Sequence, residues 1–324
     1  MTEFKKYFSY IFKSSYKRLL IVEVLCVAIT VVGVHCNPNG TKYFRVKFDV
    51  LSDILGALCF FTPIFELSQF KTRKSSDAIM FLPISKRKMS IAHYLNGLTQ
   101  IIGIHTVCVI ATFFKLIPHR EHISIGYLFA YFGLSTVFAI LIYSIFMFAF
   151  NEANTIADGV IFELLYMFLP CLISMGILDF LPVNDVFAMS FVTNESLNVL
   201  TYNFEDLVEN SWVNFTVSDN LGFLVTLLFG ALATFGYFYA FTRKKADNVE
   251  SHSSSIFGYK TIIPIYGYCL LMFSYSLDDP FTILTFIAMF CGYMIYRRTF
   301  RIKKKDIIFI IAGVIPIIIS TLFL

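Results

Sequence analysis

Charge is what this chain has least of. Only 15% of its residues are Asp, Glu, Lys or Arg, and 57% are hydrophobic. A soluble domain carries about 25% charged residues. There are too few polar residues here to cover the surface of a water-soluble fold, so the composition points to a polytopic membrane protein. Clustered cysteine is missing as well. The seven Cys are scattered, nearly all inside apolar runs, and no two form C-x-x-C. That excludes a metal cluster or a disulfide framework and leaves small hydrophobic thiols buried in spans. No G-x-x-x-x-G-K-[ST] phosphate loop occurs; the segment FGYKT at Phe257–Thr261 lacks the upstream Gly and the Gly-Lys pair. G-x-G-x-x-G, H-E-x-x-H and G-x-S-x-G are absent too. The chain itself is therefore expected neither to hydrolyse ATP nor to form a hydrolase site. The six His are dispersed, and His119 and His122 flank Arg120 and Glu121 in what reads as a solvated loop.

What the chain has is long apolar runs. A spanning helix needs roughly 20 apolar residues. Nine runs of about that length stand out: 19–35, 50–68, 91–114, 123–150, 156–178, 220–241, 261–277, 281–296 and 307–324. The last three are short, and 261–296 also reads as one hairpin bent at Asp278-Asp279-Pro280. The first run follows a basic stretch, but it is long enough to span and no small-residue cleavage site follows it. It is read as a retained span.

Basic residues set the orientation. With the N-terminus in the cytosol, inside segments hold five Lys/Arg in 5–18, six in 71–88, four in 243–260 and six in 297–305, or 21 of 26. Outside loops keep only Lys42, Arg45, Lys47, Lys115 and Arg120. Such an excess marks the cytosolic side. Residues 151–242 contain no Lys or Arg, and the acidic outer loop 179–219 lies within them.

Ahead of the first span, Phe4, Tyr7, Phe8, Ile11 and Phe12 recur at helical spacing, with Lys5, Lys6, Lys13 and Lys17 mostly off that face. This predicts an amphipathic interfacial helix over 1–18, aromatic side in lipid and lysines toward anionic headgroups.

Ionisable residues inside spans are few, and each is a functional hypothesis by default. Glu23, Asp53 and Glu66 lie near span ends, where snorkelling or a helix–helix hydrogen bond accounts for them. Glu163 lies seven residues into its span, ~10 Å deep at 1.5 Å per residue, and needs a partner or water there. His105 is similarly deep but can sit neutral. Glu163 and His105 are the candidate intramembrane polar site.

The run FELSQFKTRKSSDAIMFLPISKRKM at Phe65–Met89 resembles the loop after the second span in type-2 ABC transporter permeases of Gram-positive bacteria. The carrying residues are Glu66, Arg73, Lys74, Ser75, Asp77, Leu82, Pro83, Ile84, Ser85 and Lys86. FTRKKADNVE at Phe241–Glu250 is similar to the stretch after that family's sixth span, and YRRTFRIKKK at Tyr296–Lys305 to the basic loop before the last span of longer members. The chain departs from the pattern in its apolar runs beyond six and in lacking a family motif in the outer loop.

The resemblance implies an all-α type-2 exporter-like bundle: six core spans over 19–242, two or three additional C-terminal spans within 243–324, and the N-terminal interfacial helix. It implies that 71–88 is a coupling segment docking on a separate cytosolic ABC ATPase, which would carry ATP and Mg. It further implies a second permease subunit as partner, and short re-entrant helices within Met167–Phe187, around Pro170 and Pro182. The residues expected to couple are Arg73, Asp77, Met80, Phe81, Leu82 and Pro83. The residues themselves add a physical reason: Ala78, Met80, Phe81 and Leu82 form an apolar patch on a short element with no core of its own, which marks a partner or membrane surface. Pro83 should end the helix and Ser85 should cap the third span.

The expected setting is the plasma membrane, multi-pass, with a cytosolic N-terminus. Lipid and protein are the implied partners, and nucleic acid is not. An exporter of an amphipathic or apolar cargo, such as a peptide, is the leading reading. A membrane sensor, scaffold or immunity protein that moves nothing is the alternative. An intramembrane enzyme would need paired reactive groups at one depth, and the sequence offers no convincing pair.

Overall fold

The structure, a computed structural model, describes residues 2–34, 36–38, 44–46, 49–119, 125–178, 217–244, 247, 249–251, 255–272, 280–297 and 299. Nearly all of them are helical. In chain order the helices are α1 (Thr2–Gly33), α2 (Asp49–Leu67), α3 (Arg73–Met80), α4 (Lys86–Leu116), α5 (Ile125–Glu152), α6 (Ile156–Leu178), α7 (Val217–Arg243), α8 (Tyr259–Met272) and α9 (Pro280–Arg297). Between α1 and α2 a small antiparallel pair, β1 (Cys36–Pro38) and β2 (Phe44–Val46), sets Cys36 opposite Val46.

Among the described residues three helices are long and apolar enough to cross a membrane: Val50–Phe70, Lys86–Leu116 and Tyr131–Glu152. Thr282–Arg297 is apolar but shorter. The expected span at 307–324, the basic run 301–305 and the outer-loop residues 179–216 lie outside the described residues. So do residues 179–187 of the re-entrant expectation; before them, α6 continues through Pro170 to Leu178.

Helix α5 is the centre of the bundle. It packs against α2, α4, α6 and α7, while α1 lies along α4, and α8 joins through α6 with α9 beside it. Close approach depends on small residues, as expected where helices pack without a hydrophobic drive between them. At Gly97 of α4 a Cβ would stand 2.1 Å from the Tyr143 hydroxyl of α5. At Gly236 of α7 it would stand 2.8 Å from the Phe148 ring.

The N-terminal segment differs from its expectation. It is not a separate helix: α1 runs unbroken from Thr2 to Gly33. Tyr7, Ile11 and Ser15, spaced at i, i+4 and i+8, are buried. The Tyr7 hydroxyl hydrogen-bonds His93 Nε2 of α4 at 3.0 Å. The apolar face therefore meets protein as well as any interface, because α4 offers it both apolar contact and a polar partner.

Candidate functional site

The segment between α2 and α4 folds as a short helix with a polar root and an apolar tip. Phe70, just ahead of α3, is buried with its ring centroid 5.0 Å from His93 and 5.2 Å from Phe241. Helix α3 then runs Arg73–Met80. Its N-terminus is met by Glu250, whose Oε1 accepts from the Arg73 amide at 3.0 Å. A carboxylate there satisfies a free backbone N–H and complements the helix dipole. Glu250 takes a positive φ of 64° and itself donates its amide to the Asn154 carbonyl at 3.1 Å. The helix stops before Pro83, and Ser85 caps α4 by accepting from the Lys88 amide at 3.5 Å. At the tip, Phe81 is 87% exposed and Leu82 39%. Arg73 and Pro83 are exposed, while Asp77 and Met80 are partly buried. The six residues expected to couple thus share one short surface element.

Directly beneath the root, two lysines converge on the end of α5. Lys71 is buried, and its ammonium donates to the carbonyls of Phe150 at 2.7 Å, Asn151 at 3.1 Å and Ala153. Lys244, following α7, donates to the carbonyls of Asn151 and, at 3.1 Å, Ala153. Lys86 in turn donates to the Lys244 carbonyl. The last carbonyls of a helix lack intrahelical donors and carry the negative end of its dipole, so cations suit this place. Two of them sharing two carbonyls do not suit one another. Burial, and then the neighbouring Lys244 charge, hold Lys71 well below the usual lysine range. Burial pulls Lys244 down to about 8. Both the Phe65–Met89 and Phe241–Glu250 stretches singled out in the sequence therefore meet at one junction of α3, α5, α6 and α7.

A second polar cluster lies among α1, α2 and α4. Glu66 is 2% exposed. Its Oε1 accepts from Asn96 at 2.9 Å, Gln100 at 2.8 Å and Arg18 at 3.2 Å. Its Oε2 lies 3.2 Å from His93 Nδ1. Facing a carboxylate acceptor, His93 Nδ1–H donates to Glu66, while Nε2 lies within hydrogen-bond distance of the Tyr7 hydroxyl. A buried charge persists only when paired and hydrogen-bonded, and Glu66 is both. Of the two explanations offered by the sequence for Glu66, the helix–helix hydrogen bond is the one that holds.

Glu163 and His105 do not form one site. His105 Nε2 hydrogen-bonds Ser135 Oγ at 2.8 Å, and its ring stacks on Phe132. It ties α4 to α5 with its polar need met. Glu163 is fully buried, neither carboxyl oxygen has a hydrogen-bond partner among the described residues, and Lys71 is its electrostatic neighbour.

Sequence reasoning missed the lysine pair and the Glu66 cluster. Lys71 and Lys244 were counted only as inside charges, and nothing in their local sequence marks them as buried. The Glu66 cluster did have a signal: His93, Asn96 and Gln100 fall at i, i+3 and i+7 on one face of an otherwise apolar helix. Comparison with known proteins gives no relative to weigh against this geometry, since no family model, curated protein or solved structure matches the chain.

Proposed function

We propose that the chain is the transmembrane subunit of an ATP-driven ABC exporter in the plasma membrane, a type-2 permease with six core spans and additional C-terminal spans. Its N-terminus would be cytosolic, a second permease copy would complete the pore, and a separate cytosolic ATPase would hold ATP and Mg. The cargo would be amphipathic or apolar. One observation carries the reading. The apolar tip Phe81-Leu82 projects from a short helix whose root, Lys71, is bonded into the junction of α5 and α6. A partner that grips the tip can move the spans through the root. The resemblance of Phe65–Met89 and the surplus of basic residues on the same side support it too.

The test separates docking from insertion. Phe81→Ser with Leu82→Ser removes two side chains worth about 1.5–3 kcal/mol each when fully buried in a contact, and such residues often dominate a small interface. Tagged full-length chain, purified from its native membrane, should bring down a soluble subunit with a phosphate loop and nucleotide-dependent hydrolysis. The double variant should insert at normal levels and lose that subunit. Undiminished capture and transport by the double variant would sink the coupling role.

A further inference from the structure

A cavity of about 850 Å³ lies between α7 and the α6–α8 pair, floored by α5. It exists because α7 packs on α5 while α8 packs on α6, which leaves a slot between them. Its size falls within the ~300–1,000 Å³ of small-molecule sites.

Its lining is graded from one end to the other. Phe148, Leu169, Phe229, Leu232 and Ile265 give apolar walls. The polar groups gather where α5 and α7 end and α8 begins: Asn151, Glu152, Asn154, Arg243, Lys244 and Ser255. From Phe229 to Lys244 the slot follows α7 for ~22 Å at 1.5 Å per residue, against ~15 Å for half of a ~30 Å hydrocarbon core. Under the orientation proposed above, on which this inference rests, the polar end lies at the cytosolic headgroups and the apolar walls rise through the inner leaflet.

The charges at the mouth are not equally available. Lys244 is committed to the carbonyls of Asn151 and Ala153 at the end of α5. The Glu152 carboxylate accepts from the Ser255 hydroxyl. Arg243 is exposed and lies over the Tyr239 ring, 4.0 Å from its centroid, and no carboxylate pairs with it among the described residues. A guanidinium carbon over an aromatic face leaves N–H donors for a planar or tetrahedral oxyanion.

We infer that this slot binds an anionic glycerophospholipid of the cytosolic leaflet, one acyl chain lying between α7 and α8 and the phosphate on Arg243. The polarity, the length and, among the described residues at the mouth, the unpaired Arg243 cation fit that occupant together.

The experiment uses the full chain in detergent, mixed with phosphatidylglycerol or phosphatidylcholine of identical acyl chains, with retained lipid counted by native mass spectrometry. Phosphatidylglycerol should be retained at one per chain, about fivefold above phosphatidylcholine, the weight of one basic side chain at a charged headgroup. Arg243→Gln lies on the surface and should lower phosphatidylglycerol to the phosphatidylcholine level. Ala240→Trp, which fills the slot, should remove both. Equal retention of the two lipids by the unaltered chain, or an R243Q variant that keeps the preference, overturns the inference. So does a dimer that excludes lipid and is lost in A240W, which would assign the slot to a second copy. The reading of function fails separately: single cysteines at 253 and 203 of a Cys-free chain, labelled in intact cells, would then react from outside and from inside respectively, whatever the lipid count shows.

Discussion

The Lys71 ammonium donates to the Phe150 carbonyl at 2.7 Å, joining the foot of α3 to the far end of α5. The bond spans 79 positions of sequence and links the exposed tip of the molecule to its most contacted helix. Lys244 shares two of the other carbonyls Lys71 reaches, those of Asn151 and Ala153. The junction has more donors than it needs, and from that its behaviour on mutation follows.

Lys71→Met and Lys244→Met should each change stability little, within about 1 kcal/mol, because each shared carbonyl keeps the other ammonium and the crowding of two cations is relieved. The double variant should lose about 2–3 kcal/mol, since the Asn151 and Ala153 carbonyls then lose both lysine donors. Thermal unfolding in detergent, read as a double-mutant cycle, checks this. Additive losses would show that the two lysines do not share their acceptors.

Stability should also respond to alkali in a direction set by the same pair. The folded protein holds Lys244 at about 8, against 10.5 for the free side chain, with Lys71 displaced the same way. Between those values the unfolded chain binds more protons at Lys244 than the folded one, so the contribution of Lys244 rises with pH from about 8 toward 10.5. Below about 8 Lys244 is protonated in both states and the cost of burying its charge is fully present. Melting temperatures across that window should show a steeper rise, or a shallower fall, for the unaltered chain than for K244M. Parallel profiles would count against the buried pair.

Glu66→Ala should destabilise by about 3 kcal/mol, the low end for breaking a buried charged pair, since Arg18 retains access to water. Glu66→Gln keeps an acceptor for Asn96 and Gln100 while losing the ion pair, and should cost about 1 kcal/mol. Unfolding in mixed micelles measures both. A Gln variant as weak as the Ala variant would place the stabilisation in charge rather than in hydrogen bonding.

Much of the helical layout was legible because apolar run length and cap chemistry are local. The Pro83 stop and the Ser85 cap lie where the residue types place them. The surroundings of α1 were not legible. Phe4, Tyr7, Phe8, Ile11 and Phe12 declare a face that wants burial, but the same periodicity serves lipid and protein alike, and only α4 decides. Lys71 shows the sharper limit. A lysine at a span end reads as a headgroup contact, and its burial depends on carbonyls some eighty residues away. Glu66 falls between these cases, because its partners on α4 are spaced along one face and only their convergence on α2 is non-local. Residues 36–46 gave no strand signal; three-residue strands are too short to show alternation.

The Glu66 cluster also fixes an order of events in synthesis. Glu66 leaves the ribosome well before His93, Asn96 and Gln100, and until they arrive the only member of its final set already made on another span is Arg18. Under the proposed topology, α1 and α2 would enter the bilayer with only the Arg18–Glu66 ion contact between them available to the carboxylate. When α4 follows, it supplies three partners at once and closes the set. A chain cut short before His93 would leave the Glu66 carboxylate with Arg18 alone of its four partners, a costly polar group away from water.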